Sequence, residues 1–161
     1  MDRTNKFKLR PAMNGDVPYL DIVIDDQPLA TYFVGRLGAI PDCVSPLGWS
    51  ASEQHERGQF RRFLLEEPPD LPNGRNSILV CHLCGDLACG AYSAIFIREG
   101  GLIRWNDFGY ESTLDFETAE IPIPSSVSAF IFSWEQYEGE LRRHLTSRST
   151  GLLDSNSFMA E

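Results

Sequence analysis

Two adjacent glycines, Gly100-Gly101, separate two strand-like runs at residues 89–99 and 102–108, and no other pattern in the chain limits its fold so strongly. Glycine accepts the positive φ angles of a two-residue hairpin turn, so the two runs are predicted to pair antiparallel. A third run rich in β-formers, at residues 77–83, precedes them. The three runs together predict an antiparallel meander.

A second hairpin is predicted nearer the N-terminus. In residues 19–24 the apolar side chains of Leu20, Ile22 and Ile24 recur at every second position, which is typical of a strand with one buried face. The turn-forming residues 25–27 follow, and residues 28–34 are predicted to be a second extended segment. Proline at position 28 confines that segment to a sheet edge or to the first residue of a strand.

Two helices are predicted from capping signals and apolar periodicity. Ser50 stands three residues before a glutamate, which is a capping-box pattern, and the amphipathic stretch 51–66 follows it. A short strand at residues 129–132 leads into Ser133, which opens a second capping-box pattern. Residues 134–147 then carry an apolar stripe at helical spacing.

These elements predict an α+β fold, with an antiparallel sheet of about five strands and two helices packed on it. We expect one contiguous core that is built from the apolar faces of the strands and helices. Its predicted members are Ile22, Ile24, Ile78, Val80, Ile95, Ile97, Ile103, Phe132, Tyr137 and Leu141.

The chain of 161 residues is predicted to form one domain, residues 1–161. Residues 1–16, which contain Pro11 and the turn sequence Asn14-Gly15-Asp16, are predicted to be a flexible arm, and residues 149–161 a flexible tail. No secretory signal and no membrane span is apparent, so a cytoplasmic location is expected. The net charge of −9 argues against a broad surface for nucleic acid or anionic membrane.

Three cysteines lie close together in the segment Cys81-His82-Leu83-Cys84-Gly85-Asp86-Leu87-Ala88-Cys89, in a chain with only 4 cysteines. Cys81, Cys84 and the glycine after them have the shape of a zinc knuckle. A structural zinc site needs four ligands, so the segment predicts a metal site only if further ligands complete it. The candidates for completion are Cys89 together with His82, Cys43, His55 or His144.

Two other interpretations of the cysteine segment stay open. The pair Cys81 and Cys84 could cycle between dithiol and disulfide, although the predicted strand and turn lack the helix N-terminus that lowers the pKa of a thioredoxin-type thiol. Alternatively, the cysteines are small buried hydrophobic residues at a strand corner, with no metal or other cofactor bound. No complete catalytic constellation is apparent elsewhere in the chain.

The chain resembles a family of small, uncharacterised bacterial proteins over residues 19–147. The resemblance lies in four segments that occur in the same order: Asp21-Ile-Val-Ile-Asp-Asp-Gln-Pro-Leu29, Cys84-Gly-Asp-Leu-Ala-Cys-Gly-Ala91, Trp105-Asn-Asp-Phe-Gly-Tyr110 and Phe130-Ile-Phe-Ser-Trp-Glu-Gln-Tyr137. This chain differs from the common family pattern at Gln27, Ala88 and Ser133, where glycine, glycine and aspartate are usual. By analogy, the resemblance implies an antitoxin or immunity protein.

The charge, the size and the resemblance together predict a non-enzymatic interaction protein that binds and neutralises a cognate bacterial toxin. A negative surface speeds encounter with a basic protein partner. The alternative is a thiol-dependent or zinc-dependent enzyme of oxidoreductase type, centred on Cys81, Cys84 and Cys89. A third interpretation is a small metal-stabilised structural subunit. The partner-binding residues are expected in acidic turns and loops, at Asp25, Asp26, Asp115, Glu117 and Glu120.

Overall fold

In a computed structural model, the described residues of the chain form an α+β structure with two antiparallel sheets and three helices. The structure describes residues 4–32, 43–48, 53–71, 74–81, 91–111, 121–122 and 129–146. The strands are β1 (Phe7–Asn14), β2 (Val17–Ile24), β3 (Gln27–Pro28), β4 (Cys43–Val44), β5 (Asn76–Cys81), β6 (Ala91–Glu99), β7 (Leu102–Glu111), β8 (Ile121–Pro122) and β9 (Phe130–Ser133). The helices are α1 (29–32), α2 (Glu53–Phe63) and α3 (134–146).

The smaller sheet has the order β1-β2-β3. The larger sheet has the order β4-β5-β6-β7-β8. Strand β8 pairs with the C-terminal end of β7, and β9 pairs with its N-terminal end. The predicted class is therefore confirmed, with more strands than expected. The main core draws residues from both sheets and from α2 and α3.

The meander predicted from Gly100-Gly101 is confirmed, because β5, β6 and β7 pair antiparallel in sequence order. Gly100 has φ 59, a conformation that glycine adopts without strain. The predicted burial of β6 is wrong: Ile95 and Ile97 are only partly buried, whereas Phe96 on the opposite face packs against the core. The Phe96 ring stacks on Trp105, its cross-strand partner, with centroids 4.7 Å apart, and this aromatic pair decides which face turns inward.

The expected N-terminal arm is wrong for residues 7–14, because they form β1 and pair with β2 along the whole length of the strand. The turn sequence Asn14-Gly15-Asp16, which we expected to block regular structure, instead joins the two strands. Pro11 lies in an edge strand, where a missing N–H costs no ladder hydrogen bond. The predicted tail at 149–161 lies outside the described residues.

The centre of the core is an aromatic cluster around the fully buried Trp105. Its ring contacts Phe7 from β1, Phe63 from α2 and Tyr137 from α3 at centroid distances of 5.8, 5.6 and 6.0 Å. The Tyr137 hydroxyl donates to the Phe63 carbonyl at 2.7 Å, and burial raises the pKa of this tyrosine above its ordinary value. One indole thereby joins the small sheet, the large sheet and both long helices. The other predicted core members that lie in the main core are Ile22, Ile24, Ile78, Ile103, Phe132 and Leu141. Val80 lies in a small, separate hydrophobic cluster.

Both predicted long helices are present with slightly different ends. Helix α2 ends at Phe63 rather than Glu66 because Leu65 takes the left-handed conformation, φ 64. Its last carbonyls are satisfied by the Leu65 and Glu66 N–H groups, in a Schellman arrangement. The segment 28–34, predicted to be extended, is a strand only as far as Pro28 and is helical at residues 29–32. Among the described residues, no helix is long and apolar enough to cross a membrane.

Replacing Gly58 with alanine should raise the free energy of unfolding by about 1 kcal/mol. Gly58 lies inside α2, and a Cβ built there meets no heavy atom within 4 Å. Alanine loses less backbone entropy on folding than glycine, so the helix gains stability without a clash. Urea unfolding of both proteins measures the change. A loss of stability would mean that residue 58 is not in a helix interior.

Candidate functional site

The acidic turn predicted as a partner-binding site is a rigid feature of the small sheet. Asp25 and Asp26 join β2 to β3 with φ values of 52 and 68, the left-handed pair expected of a type I′ hairpin turn. The Asp25 carboxylate is already engaged: it accepts the Lys6 N–H at 2.8 Å and the Asn5 side-chain amide at 2.6 Å. Both aspartates are exposed, but Asp25 is engaged at the start of β1, whereas the Asp26 carboxylate forms no hydrogen bond to another described residue. The other predicted acidic residues, Asp115, Glu117 and Glu120, lie outside the described residues.

The structure brings a fourth cysteine to the predicted cysteine segment. Cys81 is the last residue of β5, and its backbone is directly opposite that of Cys43 in β4. Directly opposed residues of an antiparallel pair have Cβ atoms about 4.5–5.5 Å apart. The remaining predicted ligands, His82, Cys84 and Cys89, lie outside the described residues. Within the described ranges no group of three His, Cys, Asp or Glu side chains could hold a metal ion.

A groove of about 610 Å³ runs between α3 and the outer face of β1 and β2. Lys8 and Arg10 stand on the β1 wall, because residues two apart in a strand share a face. Arg143 and His144 stand on the α3 wall. The groove residues are Lys8, Leu9, Arg10, Pro11, Val23, Asp26, Glu140, Arg143 and His144. A chain with net charge −9 thus carries a local cluster of cationic side chains around a concave site.

The two walls of the groove are held together by side chains of α3 that bond to the outer edge of β1. The Gln136 amide accepts the Phe7 N–H at 2.9 Å and donates to the Phe7 carbonyl. One turn further on, the Glu140 carboxylate accepts the Leu9 N–H at 2.8 Å. The helix therefore covers the exposed strand edge, which is otherwise a site of unwanted strand pairing. The capping bond from the Gln136 N–H to Ser133 Oγ, 3.4 Å, is present as predicted.

Glu140, Arg143 and His144 form a charged cluster at the α3 wall. Burial alone would raise the pKa of Glu140, but the Leu9 N–H and the Arg143 guanidinium outweigh it, so this pKa lies below its ordinary value. Burial lowers the pKa of His144, and Arg143 adds to that effect against the opposing pull of Glu140. The imidazole Nε2 lies 3.1 Å from an Arg143 nitrogen and 3.4 Å from Glu140 Oε2. At neutral pH the cluster therefore holds an ionised Glu140 beside a neutral His144.

A signal for this groove was present in the sequence. Lys6, Lys8 and Arg10 alternate with the apolar residues Phe7 and Leu9, which is the period-two pattern of a half-buried strand. The turn sequence and the proline that follow led to the prediction of an arm instead. The contribution of α3 could not be found in this way, because contact between residues more than 125 positions apart depends on the packing of the two elements.

The segment 105–110 contains a β-bulge at Asp107 that a buried arginine holds in place. The pairing of β6 with β7 shifts register between Ser93 and Ile95, and Asp107 takes a left-handed φ of 54 at this bulge. The buried Arg75 guanidinium holds the bulge through the Asp107 carboxylate at 3.0 Å and its backbone carbonyl. A Cβ at Gly109 would lie 2.9 Å from an Arg75 nitrogen, so this glycine leaves room for the guanidinium.

Comparison with protein-family models, with curated proteins and with solved structures finds no match to this chain. The resemblance to a family of immunity-like bacterial proteins therefore stays a prediction.

Replacing Glu140 with glutamine should lower the free energy of unfolding at pH 7 by about 1 kcal/mol, because charge-assisted hydrogen bonds are stronger than neutral ones. The native pKa of Glu140 lies below the ordinary 4.5, so its ionised form stabilises the fold above that pH. This contribution disappears as the pH falls through the native pKa. Urea unfolding at pH 7 and pH 3 should therefore show a difference between the two proteins that shrinks with acid. A difference that stays constant would mean that the Glu140 charge contributes nothing.

Proposed function

We propose that this protein is a non-enzymatic interaction protein of the bacterial cytoplasm that binds and neutralises a cognate toxin, as an immunity protein does. The observation that carries the proposal is the rigid acidic turn between β2 and β3. Both of its residues are held in left-handed conformations, and the Asp25 carboxylate is tied to β1. The exposed Asp26 carboxylate is thereby presented on a fixed support.

The physical advantage of such a turn lies in association with a basic partner. A carboxylate held on a sheet loses little conformational entropy on binding, so less of the interaction energy is spent on ordering. The net charge of −9 adds long-range attraction, which raises the association rate with a positively charged cleft. A broad nucleic-acid or anionic-membrane surface does not fit this charge.

The test is binding to the product of the neighbouring gene in the native host. Asp26→Asn should slow association severalfold at low salt, and the difference should shrink as the salt concentration rises, because salt screens charge steering. Asp16→Asn is the matched control: Asp16 is an exposed aspartate in the turn between β1 and β2. A second variant replaces Asp115, Glu117 and Glu120 together with the neutral amides.

Three outcomes separate the parts of this proposal. An unchanged rate and salt dependence for Asp26→Asn would remove the β2–β3 turn from the interface. The same result for the triple variant would remove the acidic segment 115–120. Absence of any complex with the neighbouring gene product would overturn the immunity function.

The second candidate function is that of a thiol-dependent or zinc-dependent protein, and the register of Cys43 opposite Cys81 favours it. Zinc prefers thiolate ligands, and this register places the backbones of two cysteines opposite one another on neighbouring strands. Elemental analysis of protein purified without added metal tests it. We expect stoichiometric zinc that is lost in Cys81→Ser and in Cys43→Ser, whereas absence of zinc and of any redox change in thiol content would overturn this candidate.

A further inference from the structure

We propose that the groove between α3 and the outer face of β1 and β2 binds a small organic anion with at least two negative charges, of the phosphate-ester or dicarboxylate type. Ligand pockets are concave sites of about 300–1,000 Å³ in which a few polar groups fix the ligand over an apolar surface. The groove, about 610 Å³, has that size. The groove shares Asp26 with the turn proposed above to bind the toxin, but the anion site rests on Lys8, Arg10 and Arg143 and does not depend on that function.

Cationic side chains reach the groove from both walls. Lys8 and Arg10 project from the same face of β1, and Arg143 belongs to the facing wall on α3, beside the neutral His144. Pro11 and Val23 supply apolar lining for the carbon part of a ligand. A ligand with a charged group at each end could therefore contact both walls at once.

Two of the positive charges in the groove, those of Lys8 and Arg10, are not fully neutralised by neighbouring carboxylates. Glu140 is satisfied by the Leu9 N–H and by Arg143, at 2.8 Å each. Arg10 lies 3.7 Å from Asp21, a long ion pair of a largely exposed guanidinium. In the described parts of the chain no carboxylate pairs with the Lys8 ammonium. Asp26 is the one acidic lining residue without a basic partner there, and it lies in the turn beyond β2.

The walls are also fixed in position before any ligand binds. The Gln136 and Glu140 side chains tie α3 to the edge of β1 at two successive turns of the helix. Preorganisation of this kind lowers the entropy lost on binding, so a small ligand can bind without rearrangement of the backbone.

His144 provides a reporter inside the groove. Its imidazole faces Glu140 and Arg143 on α3, and the Lys8, Arg10 and Asp26 side chains line the same groove from the small sheet. An anion bound near the imidazole favours the protonated ring. Occupation of the groove should therefore raise the pKa of His144, an effect that binding elsewhere on the protein would not produce.

The experiment uses the full chain with inorganic pyrophosphate and succinate as probes and acetate as the monoanionic control. Calorimetry measures affinity, and NMR titration of the three histidine rings measures the pKa of His144. We expect saturable binding of at least one probe, an increase in the pKa of His144, and only weak binding of acetate. Binding of pyrophosphate alone favours a phosphate-bearing ligand, and binding of succinate alone favours a dicarboxylate.

The double variant Lys8→Gln/Arg10→Gln should weaken probe binding at least about tenfold, because two charged contacts are lost. Arg61→Gln/Arg104→Gln is the matched control, since it removes the same charge from residues outside the groove. An equal loss of affinity in the control would overturn the proposal, as would an unchanged pKa of His144 in the unmodified protein at saturating probe. Failure of both probes to bind saturably would also overturn it.

Discussion

Replacing Phe7 with alanine should lower the free energy of unfolding by about 3–5 kcal/mol, the usual cost of truncating a fully buried aromatic side chain. Phe7 is 0% exposed, and its ring packs against Trp105, Phe132 and Tyr137 at centroid distances of 5.8, 5.4 and 4.7 Å. The truncated side chain would leave a cavity between both sheets and α3. Chemical denaturation with guanidinium chloride measures the loss.

Lys6→Ala is the control for this prediction, because the Lys6 side chain is exposed and lies next to Phe7 in the same segment. Its stability should stay within about 0.5 kcal/mol of the unmodified protein, as is usual for surface substitutions. Equal and small effects of both substitutions would show that the N-terminal segment does not contribute to the core. The prediction thus separates β1 from the flexible arm that the local sequence indicated.

Replacing Asp70 with asparagine should lower the free energy of unfolding by about 3 kcal/mol, because it leaves a buried guanidinium without its counter-charge. Arg62 lies in the last turn of α2 and its side chain is buried. One of its guanidinium nitrogens lies 3.4 Å from the Asp70 carboxylate. Burial lowers the pKa of Arg62, whereas Asp70 favours its charged form. The carboxylate also accepts the Ser77 N–H at 2.9 Å, so Asp70 links α2 to β5.

Asparagine keeps an acceptor for the Ser77 N–H, but its NH2 group cannot accept the Ser77 hydroxyl as the second Asp70 oxygen does, so the loss includes this hydrogen bond as well as the charge. Glu67→Gln is the matched control, since it neutralises an exposed carboxylate close to Asp70 in the chain. A double-mutant cycle with Arg62→Met isolates the pair. A coupling energy near zero would show that the neighbouring amide and hydroxyl groups, rather than Asp70, support Arg62.

Local patterns predicted those elements whose neighbours in the fold are also neighbours in the sequence. The β6–β7 hairpin follows from Gly100, whose positive φ places the two runs side by side. Helix α3 begins where Ser133 caps it, and its Tyr137 and Leu141 are buried as their spacing predicts. In these cases backbone conformation and burial depend on residues within one turn or one hairpin.

The candidate site was predicted only in part. The turn at Asp25 and Asp26 was located correctly as a hairpin turn, because two aspartates before a proline-bounded strand are a local signal. That the Asp25 carboxylate is engaged by Asn5 and Lys6 depends on the placement of β1, about 20 positions away. The cationic groove likewise requires α3 to lie along β1, and no local pattern encodes that contact.

The sequence by itself determined the α+β class, the hairpins, the two long helices and the apolar stripes, because backbone propensity and side-chain period act over a few residues. Only the tertiary structure decided that residues 7–14 join a sheet, that Phe96 rather than Ile95 faces the core, and that Lys8 and Arg10 meet Arg143 and His144 across a groove. Pairing, facing and charge clustering depend on which distant surfaces exclude water together. The free energy of burying these surfaces depends on the packed arrangement and not on any one segment.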